Sequence, residues 1–342
     1  MKIQTLFFAL LIGLPLVTLA EPVNEKQLNR QLREAAVLDD VEGVKKLLAQ
    51  GADVEAANKF GKTALMLAAE NGSTETALLL LSKGARVNAR TVASCTPLTF
   101  AAEYGHTHIV KELLERKANV HDRTRAGWDA LMITARQGHE DIIKLLLEFN
   151  ADVGASDEEG NTALMGAVER DNVKVIELLL QKGASPDQAN EQGVTPLIRA
   201  AEKGFTDVVR LLLAQEAQVN ARDKEGATAL LWAAEKGNGI IVDMLLKHGA
   251  NINAQDKTGT TALMEAAAHG YADIVSLLLE RGADPKLTNA QGQTAIDMVR
   301  KDRYHKKTIV KVHDDEAIIR LLNRERAAPS ETSDTAQEVQ SE

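Results

Sequence analysis

The sequence predicts an all-α solenoid in which helix–turn–helix units stack side by side. A helix-capping slot recurs every 33 residues, as Thr63, Thr96, Asp129, Thr162, Thr195, Thr228, Thr261 and Thr294. Two positions after each stands an apolar residue: Leu65, Leu98, Leu131, Leu164, Leu197, Leu230, Leu263 and Ile296. A second helix in each unit ends in a leucine pair, from Leu80-Leu81 through to Leu278-Leu279. Self-similarity at this period marks a stacked array, in which a unit buries its apolar face only against its neighbours.

The unit 223–255 sets out the elements in order. Turn residues surround Gly226, a first helix is predicted over 229–235, and Lys236-Gly237-Asn238 breaks it. A second helix is predicted over 240–247, closed by His248-Gly249. Thr228 stands where an N-cap hydroxyl accepts from the first unpaired N–H groups. Gly237 and Gly249 stand where each helix must turn into the left-handed region. The motifs G-x-T-x-L-x-x-A-A-x-x-G and L-L-x-x-G-A-x closely resemble the ankyrin repeat, over residues 26–323. That resemblance implies an ankyrin-repeat solenoid with β-turn/hairpin fingers and capping repeats at both ends. Its concave side would be lined by the turns and first helices. With helices packed roughly 8–10 Å apart, the array would be on the order of 80 Å long.

Taken from the N-terminus, residues 1–20 read as a secretory signal peptide: Lys2, an apolar run over 6–19, and a small residue at Ala20. That run is short for a membrane span. Residues 21–57 are expected to hold the N-terminal capping repeat, with Gln27, Asn29, Arg30, Gln31 and Arg33 on its polar outer side. Seven full repeats follow over 58–288. Small pairs such as Ala68-Ala69 and Ala200-Ala201 let the first helices approach closely, and Thr134-Ala135 and Ala167-Val168 depart from that pattern. The helix-ending glycine is replaced by Lys117, Asn150, Asp171 and Glu216. Lys and Glu tolerate the left-handed region at a cost of about 1 kcal/mol, which marks 91–123 and 190–222 as softer units. Where the family commonly has a histidine after the leucine, this chain has Met66, Thr99, Met132, Met165, Ile198, Leu231 and Met264, expected to pack between repeats. Residues 289–323 read as a C-terminal capping repeat with a basic insertion at 300–311, and 324–342 as a disordered tail.

Composition narrows the function. Loss of Lys2 with the leader leaves 39 basic against 49 acidic residues, so nucleic acid is not an expected partner. No other stretch is apolar enough for stable membrane insertion. Cys95 is alone, so no intramolecular disulfide forms. A disulfide-free exported chain suggests a periplasmic or secreted protein. Among the histidines, His106, His108 and His121 lack the spacing of a metal site, and His106 and His139 occupy a slot used for structural hydrogen bonds. Glu70, Glu103, Glu169, Glu202 and Glu235 form a regular column whose neighbours, Arg170, Lys203 and Lys236, suggest an exposed charge lattice. No nucleophile elbow, phosphate loop or dinucleotide fingerprint is present. No enzyme and no cofactor is expected.

In ankyrin-like proteins the turn tips and the exposed ends of the first helices meet the partner. Here those slots hold Phe60, Arg90, Tyr104, Arg123, Arg125, Trp128 and Arg136 in adjacent units. Aromatics make up only 3% of the chain, and aromatic plus arginine is the composition of interface hot spots. Packing of Phe60 and Trp128 on neighbouring turns is the competing use, and Trp232 is expected in the core. Arg136 interrupts the glutamate column at the same place. The resulting expectation is a monomeric, non-catalytic scaffold that docks a protein partner on its concave face. Inhibition or protection of a periplasmic enzyme, and a metal- or stress-linked accessory role, are the alternatives.

Overall fold

Each unit is too short to be stable alone, since isolated helices below about 12 residues are marginal in water. Side-by-side burial is therefore what forms them. The computed structural model describes residues 24–299 and 315–327, the last three by their backbone only. The leader at 1–20, the basic insertion at 300–311 and the tail beyond 327 lie outside the described residues. Helices α1 (Glu25–Val37) and α2 (Val41–Ala49) form the N-terminal unit. Next come α3 (Ala64–Asn71) with α4 (Thr74–Ser82), α5 (Pro97–Glu103) with α6 (Thr107–Glu115), and α7 (Ala130–Gln137) with α8 (Glu140–Glu148). The series continues through α9 (Ala163–Glu169) with α10 (Val173–Gln181), and α11 (Pro196–Lys203) with α12 (Thr206–Ala214). It closes with α13 (Ala229–Glu235) and α14 (Gly239–Lys247), α15 (Ala262–His269) and α16 (Ala272–Glu280), and α17 (Asp315–Ala327) packed on α16. Each first helix packs on the first helices of its neighbours and on its own second helix.

The small pairs set that approach. Ala68, Ala69, Ala101, Ala102, Ala200, Ala201, Ala233, Ala234, Ala266 and Ala267 are all fully buried. Thr134-Ala135 and Ala167-Val168 are equally buried, with the Thr134 hydroxyl donating to the Ala130 carbonyl. The residues expected to pack between repeats, Met66 to Met264, are buried throughout.

The two helices of a unit are capped differently. At the first helix the side chain of the cap accepts from the N–H three residues on, as Thr63 does from Met66 and Asp129 from Met132. At α2 the Asp40 side chain does the same for Gly43, but from α4 to α16 the cap of the second helix makes no such bond, and in five of these units its side chain reaches back to the preceding unit. His106 donates to the Glu70 carbonyl and His139 to the Glu103 carbonyl, both at 3.1 Å. Asn172 reaches Ala135 and Arg136, Asn238 reaches Ala201, and Ser73 reaches Val37. The histidine rings press on the glycines that end the preceding first helices. A Cβ would lie 2.5 Å from His106 at Gly72 and 2.8 Å from His139 at Gly105. Lys117, Asn150, Asp171 and Glu216 take the positive φ that glycine takes elsewhere, joined by Asp39 and Ser94.

The expected β-hairpin fingers are corrected. Among the described residues there is no β-strand, only an isolated antiparallel bridge between Ser156 and Thr162. The tips are tight turns that consume their own polar groups. Asn58 exchanges backbone bonds with Lys62 and Gly61, while its side-chain oxygen accepts from the Phe60 and Lys62 amides. Too few backbone groups remain for neighbouring tips to pair as strands.

The C-terminal unit also departs from expectation. Thr294 does not cap a helix; its N–H and hydroxyl both donate to the Asp297 carboxylate, and residues 295–298 form turns. The final helix runs on to Ala327, past the boundary expected at 324.

Candidate interaction surface

The turn tips and first helices share one face, and a ladder of single backbone bonds joins the tips. Val92 donates to the Phe60 carbonyl, Arg125 to Ala93, Glu191 to Glu159, Lys224 to Gln192, Lys257 to Glu225 and Ala290 to Thr258. The equivalent bond from Glu158 to Ala126 is missing among the described residues. In its place the Trp128 indole N–H donates across the junction to the Asp157 carboxylate at 3.0 Å.

The same junction has a gap on its first helices. One column along them reads Leu67, Phe100, Ile133, Gly166, Arg199, Trp232 and Glu265. Only Gly166 brings no side chain, although it lies inside α9. A cleft of about 520 Å³ opens there, lined by Trp128, Met132, Arg136, Met165, Gly166 and Val194, with Arg199 and Glu169 among its charged residues. A second cleft of about 500 Å³ lies on the other side of Trp128 and Arg136, lined by Cys95, Arg125 and Ile133 among others. Trp128, Arg136 and Ala126 belong to both linings and form the partition between them.

Arg136 is half-buried, with its guanidinium 5.0 Å from the Trp128 ring centre in a cation–π contact. It forms no ion pair among the described residues. Apart from Glu103, the glutamate column on either side behaves otherwise. Glu169 pairs with Lys203 at 2.7 Å and Arg199 at 3.6 Å, Arg199 also holds Glu202 at 2.8 Å, and Glu70 pairs with Lys62 at 2.6 Å. The charge lattice thus links neighbouring units as well as neighbouring residues.

The seven residues singled out in the sequence have separate fates. Trp128, Arg136 and Arg125 come together at the second cleft. Phe60 and Tyr104 are 59% and 51% exposed, outside both linings. Arg90 spends its charge on the buried Asp122 of the next unit, at 2.5 Å. Arg123 donates to the carbonyls of Gly127 and Ser156. These last two arginines tie units together. Trp232, expected in the core, is half-buried: its N–H donates to Asp223 at 2.9 Å and Lys236 covers its ring. Sequence reasoning missed Gly166, whose signal was its place in a column of larger residues.

Two carboxyls are perturbed upward. Burial raises Asp129, against the lowering effect of the Met132 N–H it accepts. Burial, then the neighbouring Glu235 charge, raises Glu265. Among the described residues no group of His, Cys, Asp and Glu could hold a metal, and His106 already spends its ring on Glu70. No helix among them is long and apolar enough to cross a membrane.

Comparison with known proteins agrees with the geometry. Residues 32–124, 116–190 and 182–256 match a family model described as ankyrin repeats (3 copies), and 245–299 match one described as ankyrin repeats (many copies). An ankyrin repeat protein of Rickettsia felis is 44% identical over 50 residues, which is 15% of this chain and 79% of that protein.

Proposed function

Because the chain belongs to the ankyrin-repeat family, we propose that it docks a protein partner on the face formed by its turn tips and first helices. The fold is a class of non-catalytic scaffold, and the chain carries no catalytic motif. The observation that supports the site is the partition of Trp128 and Arg136, an aromatic–arginine pair between two clefts whose cation has no carboxylate among the described residues. Tyr104, exposed one unit away, extends the surface. Recognition here is preorganised: the units hold one another in place before binding, so little ordering entropy is lost.

The leader-like residues 1–20 support docking in the periplasm or outside the cell. Capture from periplasmic extract by the native chain, beside a Tyr104→Ala/Trp128→Ala/Arg136→Ala variant of equal melting temperature, tests both parts of the reading. One protein enriched by the native chain and lost by the variant supports the site. Equal capture by both moves the site elsewhere, and capture by neither sinks the reading. If the captured protein is an enzyme whose rate changes on binding, the scaffold acts as an inhibitor or protector.

A further inference from the structure

The two clefts and their partition have a chemistry more specific than a general docking face. Resting on the reading above, we infer that they form one site for an extended peptide segment of the partner, with a single carboxylate side chain between two large apolar ones. The carboxylate pairs with Arg136, and the apolar side chains enter the clefts on either side.

The apolar part follows from the floors. Met132, Met165, Gly166 and Val194 line the first cleft, and Ala93, Cys95 and Ile133 the second. Each is within the range of about 300–1,000 Å³ that accommodates a small ligand or a few side chains. An extended chain advances about 3.3 Å per residue, so side chains four positions apart and on the same face span about 13 Å. That crosses a partition one helix spacing wide, about 8–10 Å.

The charge follows from which groups are already engaged. Asp157 accepts from the Trp128 indole and from the amides of its own turn. Glu169 is held by Lys203 and Arg199, and Glu159 accepts from Asn161. Among the described residues Arg136 is the half-buried cation of these linings that has no carboxylate; Arg125, which has none either, is exposed. Glu103, Asp157, Glu158 and Glu159 line the clefts with no cation partner among the described residues, so they oppose a run of acidic residues. One carboxylate, placed at Arg136, fits; a polyacidic segment does not.

The missing tip bond at this junction sharpens the placement. Where the other tips are stitched by backbone, this pair leaves the Glu158 N–H and the Ala126 carbonyl unpaired by the ladder, beside the first cleft. These are a donor and an acceptor of the kind an extended backbone uses.

The probes are the end-blocked pentapeptide Leu-Ser-Glu-Ser-Leu and its Lys-centred counterpart, titrated calorimetrically into the full chain. The Glu probe is expected to bind at least about tenfold more tightly than the Lys probe, the size of one charge-assisted contact. Arg136→Glu should reverse that order. Gly166→Leu fills the first cleft and should weaken the Glu probe at least about tenfold with no loss of thermal stability, since the nearest atoms to an added Cβ lie 3.6 Å away and neighbouring units carry Ile133 and Arg199 there. No binding of the Glu probe at millimolar concentration, equal binding of both probes, or unchanged binding by Gly166→Leu overturns the inference. Partner capture separates it from the broader reading: capture that survives Gly166→Leu overturns this site and leaves the scaffold standing. Failure of the native chain to capture any protein counts against the scaffold alone.

Discussion

The junction between units 124–156 and 157–189 and the junction between units 190–222 and 223–255 share a core but not a surface. At both, leucines, valines and small residues are fully buried, including Leu146, Leu179, Leu212 and Leu245. At the later junction the tips are joined by a 2.7 Å bond from Lys224 to Gln192, and the first-helix column is filled by Arg199 and Trp232. At the earlier one the tip bond is absent and Gly166 leaves the column open. The difference teaches that stacking and surface are set by separate residues. A repeat array can alter one junction's outer edge without disturbing the stack behind it.

The strongest way to break this comparison is to make the cores behave differently. Leu146→Ala and Leu212→Ala should each cost about 2–5 kcal/mol, with similar losses in urea unfolding midpoints. A much smaller loss for Leu146→Ala would mean that the open edge loosens the core beneath it.

Glycine substitution separates two positions by sign, the open helix column at the earlier junction and the helix-ending turn at the later one. Gly166→Ala should stabilise by about 1 kcal/mol, because a helix-interior glycine is replaced where space exists. Gly204→Ala should destabilise by about 1 kcal/mol or more, because its φ is +78° and an added Cβ would lie 3.0 Å from Asn238. Equal signs in thermal melting would refute the distinction. His139→Ala should lose about 1 kcal/mol through the Glu103 carbonyl bond, and Asn238→Ala a similar amount at its own junction.

Lys117→Gly and Glu216→Gly should each gain up to about 1 kcal/mol by relieving positive φ at 65° and 57°. No gain in either would show that these units are not softer joints. The smallest effect is at Asp129. Its carboxyl is held above the usual range, so the native state binds the proton more readily than the unfolded chain. Its contribution therefore falls as pH rises from the ordinary carboxylate range through the raised value. Asp129→Thr should remove that slope, so the gain over wild type in melting temperature should be larger at pH 7 than at pH 3.

Much of the fold was legible because each columnar residue does a local job. The threonine caps act three residues away, and the positive φ at Lys117, Asn150, Asp171 and Glu216 follows from glycine missing in a glycine column. The hairpin fingers were misread because a turn and a ladder share the same residues. The side-chain oxygen of Asn58 decides between them by taking the turn's amides. Arg90 and Arg123 read as free cations, yet their partners Asp122 and the Ser156 carbonyl lie a full unit away. Trp128 and Arg136 were found as types, but their stacking was not. The cleft was hardest to foresee, since an absent side chain and an absent backbone bond create it together.

The back-reaching caps give the array a direction. From His106, His139, Asn172 and Asn238, and from the tip amides, the donor belongs to the later unit and the acceptor to the earlier one. A chain made from its N-terminus therefore presents the acceptors of these bonds first, and each new unit arrives with the cap and tip donors that complete the one before, while Arg90 and Arg123 await acceptors in the unit that follows. Assembly can then proceed as a zipper with a fixed starting end, and no unit has to wait for a distant part of the chain.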